Sequence, residues 1–145
     1  METLDQPVQC LNGIDPVAVV DDSVIDLTIT KRVYARSELK NPLITFTSGE
    51  AFLDYMMEVR EGKAARPVLV LMDINMPSMN GFQTIARLRA HEDFLEIPII
   101  VMLTNSDSDE DREKSLEVGA NGFQTKDFNM ARYTEFFNSL KSEGA

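Results

Sequence analysis

The sequence has one cysteine, one histidine and no tryptophan in 145 residues. A lone cysteine, Cys10, rules out an internal disulfide framework. One cysteine and one histidine cannot build a zinc cluster. His91 lies far along the chain from every other candidate group and reads as a surface residue, not a phosphodonor. Basic charge is also short: 14 Lys and Arg stand against 24 Asp and Glu, for a net charge of -10. Phosphates of nucleic acids and anionic membrane surfaces repel such a chain, so no nucleic acid and no membrane is expected among its partners. A cation or another protein suits it better. There is no apolar run of membrane-spanning length and no charged leader before an apolar segment, so a cytoplasmic location is expected. The length fits one domain with an ordinary core.

Short apolar runs between turn signals organise what is there. Residues 1–16 have no period and include Pro7, Gly13 and Pro16, so they are expected to form a loosely ordered leader. Residues 17–141 form the expected domain, and 142–145 a tail. Val17-Ala18-Val19-Val20 reads as a buried strand ending on Asp21 and Asp22. Asp22 or Ser23 is placed to cap a helix whose apolar stripe is Ile25, Ile29 and Val33. Leu43-Ile44-Thr45-Phe46 is a second strand. Thr47 and Glu50 have capping-box spacing before a helix carrying Phe52, Tyr55, Met56 and Val59. A third strand ends on Asp73. The loop after it carries Met76 and Met79, expected to be exposed, and leads into a helix with Phe82, Ile85 and Leu88 inward. A fourth strand ends on Thr104. The helix after it starts near residues 106–108 with an acidic first turn and a thin apolar stripe, so it is expected to be loosely held. Phe123-Gln124-Thr125 is a short fifth strand ending on Lys126. The last helix carries Met130, Tyr133, Phe137 and Leu140, with one ring of Phe136 and Phe137 expected to face solvent. Strand then helix, five times over, predicts an α/β fold: a five-stranded parallel sheet in the order 2-1-3-4-5 flanked by five helices.

Parallel strands share one carboxyl-terminal rim. Here it collects Asp21, Asp22, Asp73, Thr104 and Lys126. Three close carboxylates repel, so protons or a cation must sit among them. Hard oxygen ligands select Mg²⁺ or a similar ion. A bound ion makes an acidic pocket tolerate a phosphoryl group, and a carboxylate can attack phosphorus to form an aspartyl phosphate. Lys126 and the Thr104 hydroxyl are placed to neutralise and position the transferred group.

The segments Val19-Val20-Asp21-Asp22-Ser23, Leu71-Met72-Asp73-Ile74-Asn75-Met76-Pro77-Ser78-Met79-Asn80-Gly81, Met102-Leu103-Thr104-Asn105-Ser106 and Gly119-Ala120-Asn121-Gly122-Phe123-Gln124-Thr125-Lys126 resemble the receiver domain of bacterial two-component response regulators. The likeness spans about residues 17–140 and implies the flavodoxin-like receiver fold, in a stand-alone, chemotaxis-regulator-like form. It implies that Asp73 is the phosphoacceptor. Asp22 and Asp73 would bind Mg²⁺ through side chains, Asp21 partly through water, and Asn75 through its backbone carbonyl. Thr104 and Lys126 would hold the phosphoryl oxygens. The donor would be a phosphohistidine on a histidine kinase or a histidine phosphotransfer protein. Thr104 and Phe123 would form a switch, read by a downstream protein target at residues 107–140. The protein would be a monomer or weak dimer.

One position departs from the family. Asp127 stands where proline is usual after the lysine. A cis bond before a non-proline residue costs roughly 2.5–4 kcal/mol, so a trans bond is favoured, with either a different aim for Lys126 or a more mobile loop, and Asp127 is expected to add a negative charge beside the ammonium. Two competing functions fare worse. A phosphorylation-independent interaction module on this fold would usually lack part of the acidic set. A phosphohydrolase with an aspartyl intermediate usually carries an acid two residues after its nucleophile, where this chain has Asn75. No enzymatic turnover is expected beyond slow self-dephosphorylation.

Overall fold

Three of the five strands are runs of apolar side chains because both of their faces are covered. In the computed structural model, which describes residues 14–105, 108–127 and 129–140, β1 is Val17–Val20, β2 Leu43–Phe46, β3 Leu69–Met72, β4 Ile99–Thr104 and β5 Gly122–Thr125. The helices between and after them are α1 (Val24–Arg36), α2 (Gly49–Arg60), α3 (Gly81–Arg89), α4 (Asp109–Glu117) and α5 (Met130–Asn138). The five strands pair in parallel in the order β2-β1-β3-β4-β5, the flavodoxin-like arrangement. The expectations for Cys10 and most of the leader, and for the tail, fall on residues outside those described.

The twofold alternation of a strand divides the core in two. Ala18, Val20, Val70, Met72, Ile100 and Met102 face Phe52, Met56, Phe82, Ile85 and Leu88 of α2 and α3. Val17, Val19, Leu69, Leu71, Val101 and Leu103 face Leu27, Val33 and Tyr34 of α1 and Tyr133, Phe136 and Phe137 of α5. Burial on both sides is why the strand sequences run apolar without a break.

Four local expectations need correction. The buried side of α1 is Leu27, Thr30, Val33 and Tyr34, and Ile25 is 73% exposed. Thr30 and Tyr34 turn inward because α5 gives them partners: the Thr30 hydroxyl hydrogen-bonds the Tyr133 hydroxyl at 2.7 Å, and the Tyr34 ring meets Phe137 edge-on. The cap of α2 is Ser48, not Thr47; its hydroxyl accepts from the Ala51 N–H at 3.0 Å. Met76 and Met79 are buried, and Met76 joins the core on the α2–α3 side. Phe136 and Phe137 are both buried, 5.3 Å apart and steeply inclined, since α5 sinks deep enough against the sheet to cover adjacent positions.

Helix α4 has the thin anchorage its sequence predicts. Ser115 is its one buried residue, and Leu116 is largely exposed. Two cations tie it to the core instead: Arg112 lies 5.3 Å from the centre of the Phe123 ring, and the Lys114 ammonium 4.8 Å from that of Phe82.

Candidate functional site

The sheet register brings the rim residues level. Val20 pairs with Met72, so Asp21 and Asp73 each stand one residue beyond a matched pair. The ladder continues to the rim: the Asp73 N–H donates to the Val20 carbonyl at 2.9 Å and the Asp21 N–H to the Phe46 carbonyl at 3.0 Å. On the other side Thr104 pairs with Thr125, and the Lys126 N–H donates to the Thr104 carbonyl at 2.6 Å. These bonds fix the backbone beneath every candidate side chain.

The loop after Asp73 is held from below. Ile74, Met76 and Met79 are buried, while Asn75, Pro77 and Ser78 are exposed. The Gly81 N–H returns to the Ile74 carbonyl at 2.8 Å. A Cβ at Gly81 would press on the Asp73 carbonyl oxygen, so only glycine lets α3 start this close to the site. Asn80 then caps α3 in a reciprocal bond pair with Gln83.

Among the described residues, Asp21, Asp22 and Asp73 form one group able to hold a cation, with a ligand atom from each within 4.8 Å of the others. Asp21 is buried and its carboxylate accepts from the Ser23 N–H at 2.9 Å. Asp22 is exposed at the mouth. Asp73 is 8% exposed. Burial pushes its carboxyl up to about 7; Lys126 pulls the other way, and Asp21 and Asp22 add to the rise. The donor set, all carboxylate oxygen around a group that burial discourages from ionising, fits a hard divalent cation.

The Lys126 side chain is 6% exposed and points into this acidic pocket. Its ammonium is 2.7 Å from Asp21, 2.8 Å from Asp26 and 4.0 Å from Asp73. Burial alone would make the ammonium easier to deprotonate, but hydrogen bonds to Asp21 and Asp26 and the charge of Asp73 outweigh it and hold the pKa above the ordinary lysine value. Thr104, at the end of β4, and Phe123, on β5, are fully buried. Phe123 points inward, under the Arg112 guanidinium.

Asp26 is the site residue that the sequence did not disclose. It lies in the first turn of α1, where an acid is ordinary because the helix N-terminus favours it. Only the topology, which packs α1 against α5, the helix that follows β5, brings it to Lys126. Asp127 behaves differently from expectation in one respect. The bond before it is trans, since Ile97–Pro98 is the one cis peptide among the described residues. Its negative charge, however, is turned away from the pocket: the carboxylate accepts from the Arg132 guanidinium at 2.7 Å and the Asn129 N–H at 2.8 Å.

Comparison with known proteins agrees with this fold. The response regulator receiver domain family matches residues 17–138. The chain is 28% identical to response regulator Rcp1 of Synechocystis sp. over 127 residues, covering 87% of this chain and 86% of that one. It is 32% identical to two-component response regulator 24 of Arabidopsis thaliana over 122 residues, covering 84% and 81%. The crystal structure of the Mn²⁺-bound form of Rcp1 superposes with a TM-score of 0.72 at 26% identity, covering 87% of this chain and 91% of that one.

Proposed function

The chain belongs to the response regulator receiver domain family, and from that premise we propose that it accepts a phosphoryl group on Asp73 and signals by changing its partner-binding face. The observation that carries this reading is the convergence of Asp21, Asp22 and Asp73 within 4.8 Å, with the Lys126 ammonium 4.0 Å from Asp73. A nucleophile, a cation site and a fixed positive charge meet at one strand end.

The phosphoryl donor is a phosphohistidine on a histidine kinase or a phosphotransfer protein. An oxygen of Asp73 bonds to phosphorus as the phosphorus–nitrogen bond breaks, and the electron pair of that bond returns to the donor imidazole. Asp73 must be ionised to attack, and its buried carboxyl is held near neutrality. A divalent cation, Mg²⁺ on this reading and Mn²⁺ in the Rcp1 structure, supplies the charge that keeps Asp73 ionised and neutralises the incoming oxygens. Asp21, Asp22, Asp73 and the Asn75 carbonyl would hold it. Lys126 and the Thr104 hydroxyl take the remaining phosphoryl oxygens.

Output follows from the other side of the rim. Movement of Thr104 toward the phosphoryl group alters the space around Phe123, and Phe123 carries Arg112 and hence α4 with it. Phenylalanine has no hydroxyl, so the signal travels through packing. A weakly anchored α4 suits a face, within residues 107–140, that changes its protein partner's affinity. The protein works as a cytoplasmic monomer or weak dimer, contacts no nucleic acid and dephosphorylates itself slowly without turning over outside substrates. Among the described residues no helix is long and apolar enough to cross a membrane.

Incubation with acetyl phosphate and Mg²⁺, followed by intact-mass measurement and peptide mapping, tests the reading. The expected result is a gain of one phosphoryl mass on the peptide containing Asp73, lost on adding EDTA beforehand. No gain under any condition, or a gain on a peptide lacking Asp73, overturns it.

A further inference from the structure

The Lys126 ammonium lies closer to Asp21 and Asp26, at 2.7 and 2.8 Å, than to the carboxylate it is meant to serve, 4.0 Å away. Its side chain is nearly buried and that of Asp26 is 23% exposed, so this is a largely desolvated ion pair and not a loose surface contact. The two carboxylates differ in kind. Asp21 belongs to the group that can hold a cation, and Asp26 does not. A cation on Asp21 would weaken that oxygen's hold on the ammonium. Nothing in the described site relieves Asp26 in the same way.

We propose that Asp26 is a positioning residue that holds the Lys126 ammonium toward α1 in the unmodified protein and competes with the phosphoryl group on Asp73 for it. The inference rests on the aspartyl-phosphate reading above and adds a restraint specific to this chain. The position of Asp26 supports it. Its backbone is fixed, since its N–H donates to the Ser23 cap at 3.2 Å. Behind it, Ile29, Thr30, Tyr133 and Asp127 line a narrow cleft beside Lys126, and the Asp127 carboxylate is taken up by Arg132 and the Asn129 N–H. Thr30 and Tyr133 hydrogen-bond each other there, and being neutral neither supplies the charge that the Asp26 carboxylate sets against the ammonium. An ammonium has three donors. Two are committed to Asp21 and Asp26, which leaves one for a phosphoryl oxygen and holds the ammonium 4.0 Å back from Asp73, so a closer approach strains or breaks one of the two bonds.

The test is the affinity of the full chain for beryllofluoride, which stands in for the phosphoryl group on Asp73, at saturating Mg²⁺ by calorimetry. D26N keeps the shape and removes the charge, and it should tighten binding by about tenfold, the scale of one charge-assisted hydrogen bond. D26E keeps the charge and should bind as the wild type does. In a K126M background, D26N should change affinity by less than about twofold, because the competition needs the lysine. Fluorine NMR of the bound group gives a readout that general loosening does not move: one resonance should shift in D26N and not in D26E. If D26N does not fold, D26S carries the same test. Equal or weaker binding by the neutral variant overturns the proposal, as does a gain that persists without Lys126. Failure of the wild type to bind beryllofluoride would instead overturn the parent reading, and this inference would fall with it. Binding by the wild type with no change in D26N removes this inference alone.

Discussion

Replacing Asp73 by Asn should make the metal-free protein more stable, and the gain should depend on pH in a defined way. Asparagine resembles the protonated acid, so D73N removes a titration and little volume. In the folded protein, burial raises the Asp73 carboxyl from its ordinary 3.8 to about 7. A raised acid pKa means that the folded state binds the proton more tightly than the unfolded chain does. Below about pH 4 both states carry the proton and the site exerts no penalty. Between about 4 and 7 the unfolded chain loses its proton while the fold keeps it, so wild-type stability falls as pH rises. Above about 7 the penalty is complete. At 1.36 kcal/mol per pKa unit the ceiling is about 4 kcal/mol. The polar, partly open mouth at Asp22 screens the site, so about 2 kcal/mol is the expected gap at pH 8. Lys126 does not distort this window. Its folded pKa is raised, so its contribution is present throughout the acidic and neutral range and is lost only above the ordinary lysine value.

Urea denaturation of both proteins in EDTA, from pH 5 to 8, measures the gap directly. The two should have the same slope and midpoints that separate as pH rises. Adding Mg²⁺ should narrow the gap, because an ion that binds the folded wild type more tightly than D73N stabilises it more. A gap that does not vary with pH, or a D73N protein that is the less stable of the two at pH 8, would refute the claim that Asp73 is forced toward neutrality by its surroundings.

Other perturbations separate the site from its scaffold. D22N should weaken Mg²⁺ binding by about tenfold or more in calorimetry while leaving the urea midpoint nearly unchanged, since Asp22 is exposed and contributes a ligand rather than packing. G81A should destabilise the protein by about 2 kcal/mol, because the new methyl presses on backbone at Asp73 and Ile74 and cannot move aside; the urea midpoint would show it. R89A should cost about 2–4 kcal/mol, and R89K should recover little of it. The Arg89 guanidinium donates to the carbonyls of Gly119, Phe94 and Pro98 and to the Asn121 side chain, a fan of bonds that an ammonium cannot reproduce.

The strand ends were legible because the sheet is buried on both faces. Each apolar run stops where cover stops, and the first polar residue after Val20 or Met72 is therefore a rim residue. The helices were read less well where polar groups are buried in pairs. Thr30 looks like a surface residue in a hydrophobicity pattern, yet one hydrogen bond to the Tyr133 hydroxyl lets it be buried, and the stripe of α1 turns accordingly. Met76 and Met79 were misread for a related reason: a loop beside a polar site still needs apolar side chains beneath it to hold Asp73 in place. Asp26 was hidden because two causes predict the same residue. An acid in the first turn of a helix is already accounted for by the helix itself, so nothing in the local sequence calls for a second explanation.

The charges of the site explain why the ion and the lysine cannot substitute for one another. Asp21, Asp22, Asp26 and Asp73 surround a single ammonium. With all of them ionised the pocket carries a surplus of negative charge before any phosphoryl group arrives; burial first, and the charges of Asp21 and Asp22 after it, raise the Asp73 pKa. Lys126 cannot remove the surplus, since its charge is already engaged by Asp21 and Asp26. A divalent ion held by Asp21, Asp22 and Asp73 would reduce the surplus and, at Asp21, would weaken one of the two bonds that hold the ammonium, leaving the Asp26 bond in place. On the proposed reading cation and lysine have different duties: the ion would permit the carboxylate to be a nucleophile, and the lysine would become available to the product only as far as Asp26 releases it. Loss of the ion should abolish modification, whereas loss of the Asp26 charge should change how firmly the modified state is held.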